Sequence, residues 1–155
     1  ETTTAAKKSE TKKTTTTKST TTKSETKKTE TKKATTASSN SSVISYTDEE
    51  FDMLCYVLQG EVGNCSEQIK IAVANVIINR VNTAPNQFTA INGYYSGRNK
   101  PTQNTIDCAK RALNGEDNSN GAVYYYAPQY CGGSTAAWFE SLTFCMELDG
   151  QRYFK

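Results

Sequence analysis

The sequence predicts an α+β domain of three helices followed by a small antiparallel sheet, with a disordered tail in front of it. Three observations carry this. Residues 1–40 hold no aromatic or large aliphatic side chain. Two successive segments, 47–63 and 64–81, place apolar residues at helical spacing. Beyond residue 121 the pattern turns to β-prone runs, two of which flank Asp149-Gly150. The expected boundaries are a linker over 1–42 and a folded domain over 43–155.

The tail contains 16 Thr, 10 Lys, 5 Ser and 4 Glu among its first 40 residues. It cannot bury enough surface to offset its ordering entropy, so disorder is expected. Ser-Glu-Thr-Lys-Lys occurs at 9–13 and 24–28, and Glu-Thr-Lys-Lys at 30–33. These are low-complexity repeats without an apolar face to stack. The tail carries +6, whereas residues 41–155, with 8 basic and 12 acidic side chains, carry −4. Such a tether either lies along an anionic polymer or is a plain solvated spacer. Nucleic acid is not an expected partner, because the tail lacks aromatic interleaving and the folded part is acidic. No window reaches the ~18 apolar residues of a membrane span, and no signal-peptide pattern is present. The start at Glu1 rather than Met leads us to expect a fragment with an upstream part missing.

The first helix is expected over 47–63. Thr47 and Glu50 have capping-box spacing, and Tyr46 and Phe51 suit a hydrophobic staple. Phe51, Leu54, Cys55 and Leu58 form one apolar face, and Gly63-Asn64 is a stop signal. Glu61 falls on that face, in the last turn. Burial and the negative end of the helix dipole both favour its protonated form, which a general acid requires. The competing reading is a last-turn Glu that turns outward or pairs with a base.

Asn64 and Glu67 suggest the start of a second helix. Ile69, Ile71, Ala72, Val73, Ala74, Val76, Ile77, Ile78 and Val81 make it apolar nearly all round, so it is the expected central helix. Lys70, at its start, is expected to matter little. Asn75 and Asn79 share a face, where a buried Asn either pins a loop or, at Asn79, floors a cleft. Residues 83–101 read as loop. A third helix is expected over 103–113, ended by Asn114-Gly115. Ala122 to Tyr126 reads as a strand, 135–139 as one short helical turn, and 142–148 with 151–154 as a hairpin on a type I′ Asp-Gly turn.

Five cysteines, at 55, 65, 108, 131 and 145, cannot all pair within one chain, and their spacing fits no zinc signature. Cys55 and Cys108 read as small core residues. The absence of histidine excludes Cys-His and Ser-His nucleophile systems in their usual form. No metal and no cofactor is expected.

Gly60-Glu61-Val62-Gly63, the apolar helix ending in Asn79-Arg80-Val81, Gln87-Phe88-Thr89, Ala112-Leu113-Asn114-Gly115 and Gly121-Ala122-Val123-Tyr124-Tyr125-Tyr126 together resemble the SleB/CwlJ cell-wall hydrolase family. The spore cortex-lytic enzymes are among its members. The resemblance runs from about Asp48 to Phe154. It implies a lysozyme-like α+β fold and cleavage of the glycan strand of peptidoglycan, in the cortex enzymes by lytic transglycosylation to 1,6-anhydro ends. It places the catalytic acid on Glu61, the residue the helix pattern had singled out. A transglycosylase needs one carboxylate rather than the usual two.

The candidate substrate-binding residues are Asn79, Phe88, Thr89, Tyr124, Tyr125, Tyr126 and Trp138. Each aromatic also has a core-packing reading. Strand alternation puts either Tyr124 with Tyr126, or Tyr125 alone, on a cleft. Three departures from the family pattern stand out: a segment between Val81 and Gln87 about ten residues shorter, Ala127 in place of Asn, and Arg152 in place of a C-terminal His. The expected partner is the peptidoglycan glycan strand, bound by a monomer outside the cell, in the wall or spore. The alternative is a non-catalytic peptidoglycan-binding module.

Overall fold

The computed structural model describes residues 42–84 and 98–155. The expectation of disorder over most of 1–42, and the candidates Phe88 and Thr89, lie outside the described residues. Among those residues the order is α1 (Asp48–Val62), α2 (Glu67–Thr83), α3 (Gln103–Leu113), β1 (Tyr124–Tyr126), α4 (Gly133–Glu140), β2 (Phe144–Leu148) and β3 (Gln151–Phe154). This is the α+β class expected, with α4 a full helix of 8 residues where one turn was expected.

Helix α1 begins with the expected capping box. Glu50 N donates to Thr47 Oγ1 at 3.2 Å, and Thr47 N donates to Glu50 Oε2 at 2.8 Å. The Tyr46 and Phe51 rings stand 6.0 Å apart as the staple requires. Gly63 ends the helix with φ −57°, not in the left-handed region. It is glycine for space: a Cβ there would meet Gln59 Nε2 at 2.2 Å. Gln59 is committed elsewhere, its Oε1 accepting from Thr102 N at 3.0 Å and Thr105 Oγ1 at 2.8 Å at the start of α3.

Helix α2 is the core element. Ala72, Val73, Ala74 and Val76 are fully covered, and the residues of α1 and α3 that face them, Leu58, Ala109 and Ala112, are equally so. Two expectations about its start are corrected. The cap is Ser66, whose Oγ accepts from Ile69 N at 3.4 Å, not Asn64. Residues 63–65 are used in the turn from α1, where Cys65 N donates to Val62 O. Lys70 is buried rather than solvated, and its Nζ donates to Asn104 Oδ1 at 2.6 Å across to α3.

The sheet order is β1-β3-β2, antiparallel throughout. The hairpin turn has Asp149 at φ 48° and Gly150 at φ 76°, as a type I′ turn demands. A register shift between Phe144 and Met146 bulges β2. Ser66 Oγ donates to Asp149 Oδ2 at 3.1 Å, tying the turn to the start of α2.

Candidate active site

Glu61 sits in the last turn of α1, and its angular position is the one its spacing from Leu54 implies. It is nevertheless exposed. The side of α1 that buries Leu54 and Val57 opens onto a cleft at Glu61. Val62 takes the buried place instead. Glu61 therefore faces the cleft rather than the core, and its partner there is a tyrosine rather than a base: Tyr125 Oη on β1 donates to Glu61 Oε2 at 3.0 Å. Tyr125 is backed by Tyr153 of β3, fully buried, with ring centroids 6.0 Å apart. Burial pushes the Tyr153 hydroxyl pKa up.

The cleft has a volume of about 470 Å³. Glu61, Cys65, Arg80, Tyr125, Tyr126, Ala127, Tyr130 and Cys131 are among its walls. Glu61 is the one carboxylate among the described residues lining it.

Helix α2 positions the strand that faces Glu61. Asn75 Nδ2 donates to Glu116 O at 2.8 Å, and Asn79 Nδ2 donates to Ala122 O at 2.9 Å and Ser119 Oγ at 3.2 Å. Arg80 Nε donates to Val123 O. One face of the helix thus holds the chain at 116, 119, 122 and 123, just before Tyr125.

The Cell Wall Hydrolase family model matches residues 65–154. The chain belongs to the cell wall hydrolase family. Glu61 stands just before the matched span. Two solved structures share the fold. The catalytic domain of the germination-specific lytic transglycosylase SleB from Bacillus anthracis is 21% identical, with a TM-score of 0.60 over 71% of this chain and 97% of that one. The catalytic domain of the Bacillus cereus SleB protein is 21% identical, with a TM-score of 0.59 over 77% of this chain and 99% of that one. Comparison with curated proteins gives no match.

The other candidate residues of this cell wall hydrolase are divided between the cleft and its surroundings. Asn79 spends its amide on the 119–122 loop and is not among the cleft walls, so its loop-pinning reading describes what it touches. Tyr125 faces Glu61. Tyr126 is buried, stacks on Phe139 of α4 at 4.7 Å, and reaches the cleft only as part of its wall. Its hydroxyl donates to Glu140, which holds its pKa above the ordinary value. Tyr124 packs edge-on against Trp138 at 5.3 Å, and Trp138 is half exposed. Neither lines the Glu61 cleft.

Of the family departures, Ala127 falls in the cleft wall, whereas Arg152 is held by Glu140 and Glu147 outside it. Several wall residues were not site candidates in the sequence, Cys65, Tyr130, Cys131 and Arg80 among them, and Arg80 is the charged one. It carried a signal: a base closing an apolar helix, with no acid three or four residues to either side.

Proposed function

We propose that this cell wall hydrolase cleaves peptidoglycan glycan strands as a lytic transglycosylase, with Glu61 as both acid and base. The observation that carries the reading is the Glu61–Tyr125 pair on the wall of a cleft lined by no second carboxylate among the described residues. A hydrolytic glycosidase needs one carboxyl for the leaving group and another for water or nucleophilic attack. A transglycosylase uses one group twice.

In the first half, the Glu61 carboxyl proton passes to the glycosidic oxygen as the bond to C1 of muramic acid breaks. In the second, the Glu61 carboxylate takes the proton of the same sugar's C6 hydroxyl. The C6 oxygen then bonds to C1, closing a 1,6-anhydro ring without consuming water. Tyr125 is a positioning residue here: its hydroxyl fixes the carboxyl group in one orientation toward the strand. The positive charge developing at C1 is opposed by the carboxylate and by the substrate's own acetamido group. The fold shared with two SleB catalytic domains, one of them from a lytic transglycosylase, supports the same reading. Action on wall or cortex places the protein outside the cytoplasm.

The test is mass spectrometry of muropeptides after digestion of purified peptidoglycan. Anhydro ends are expected from the wild type, and Glu61→Gln is expected to lose at least ~10²-fold in rate. Reducing ends instead of anhydro ends would mean hydrolysis. A wild type that binds wall without cutting it would leave a binding module.

A further inference from the structure

We propose that Arg80 is the anchor of an anion subsite beside Glu61, and that it takes a carboxylate of the muramic acid residue or of its peptide stem. The inference rests on the glycan-cleaving reading above and names which substituent of that strand the site recognises.

Arg80 lines two adjoining hollows. One is the Glu61 cleft; the other, about 300 Å³, is walled by Arg80, Thr83, Ala84, Val123 and Tyr124. Glu61 and Arg80 are the only charged side chains among the described residues of the two walls. Two contacts among the described residues hold the guanidinium in place. Its Nε donates to Val123 O, and its central carbon lies 5.1 Å from the centroid of the Tyr124 ring.

Comparison with two other arginines is instructive. Arg111 is held by Glu67 and Glu116, and Arg152 by Glu140 and Glu147. Arg80 forms no ion pair among the described residues, and residues 85–97, which follow α2, contain no Asp or Glu. A guanidinium anchored through Nε and stacked on a ring presents its terminal N–H groups in a fixed fork, the geometry that suits a carboxylate. Peptidoglycan offers carboxylates from two sources: the lactyl group of muramic acid where the stem is absent, and the stem peptide where it is present.

The test uses soluble strands in four forms, with and without stems, each with carboxylates free or converted to amides. Wild-type kcat/KM is expected to fall about 10- to 100-fold on amidation, the size of a lost charge-assisted hydrogen bond, and mainly through KM. The pair of strands that shows the fall identifies the source. Arg80→Gln is expected to lose the same factor on the free acid and nothing further on the amide, and Arg80→Lys to recover part of it. A purely structural Arg80 would leave wild-type cleavage indifferent to amidation, and that result overturns the proposal even if the variants fail to fold. Should the wild type cut none of the strands, calorimetric binding of the same four forms decides. Tighter binding of the free acids keeps the subsite while the transglycosylase reading falls. Equal or absent binding removes the subsite.

Discussion

Helix α2 and the rim of the cleft hold their side chains by different means. Val73, Val76 and Ala72 have no exposed surface and are fixed by atoms packed on every side. Glu61 is exposed and Tyr125 half-buried, and a side-chain hydrogen bond joins them. Burial of an aliphatic side chain contributes roughly 1.5–3 kcal/mol, whereas an exposed polar contact contributes little to stability. Changes in α2 should therefore register in the folding equilibrium, and changes at the rim in turnover.

The widest separation is expected from Glu61→Gln, whose ~10²–10⁴-fold loss of rate should come with under about 1 kcal/mol of lost stability. Rate is read from muropeptide release and stability from urea denaturation; a large stability loss would make Glu61 a structural residue. Ile77→Ala is the reverse case. It should destabilise by ~2–5 kcal/mol through transfer and cavity terms, while the folded fraction keeps near-normal kcat.

Tyr125→Phe sharpens the contrast at one atom. Its ring still packs on Tyr153, so stability should hardly move, but loss of the hydroxyl should lower kcat roughly tenfold. An unchanged kcat would remove Tyr125 from the positioning role.

The smallest effect concerns acid. Glu67 and Glu116 have pKa values held below 4.5, first by their hydrogen bonds to Arg111. A depressed folded-state pKa gives stability that is complete above the unfolded value and lost as pH falls through the folded one. Thermal midpoints should therefore drop below pH 4.5, less steeply in Arg111→Gln, and high salt should mute the difference because these side chains are exposed.

Much of the fold was legible because its signals are local. The Thr47–Glu50 box, the bounds of α3 and the Asp149-Gly150 turn each depend on residues within a few positions of one another. The position of Glu61 on its helix was legible for the same reason. Its exposure was not, because that depends on where the cleft opens between α1 and β1, which are more than sixty residues apart in the chain. Lys70 misled for a similar reason: its partner, Asn104, lies on another helix. The choice between Tyr125 and its neighbours waited on which side of β1 meets α1. Arg80 carried only a weak local signal, and its place on the cleft wall depends on β1, more than forty residues further along the chain.

The strand order β1-β3-β2 has a consequence for synthesis. The central strand is the last of the three to leave the ribosome, so β1 has no neighbour while most of the domain already exists. The helices, built from nearer contacts, can assemble first. At roughly 5–20 residues per second, several seconds separate the emergence of Glu61 from that of the strand that backs Tyr125. During that interval Glu61 has no finished wall opposite it, and the cleft is complete only once residues 151–154 have joined the sheet beside β1.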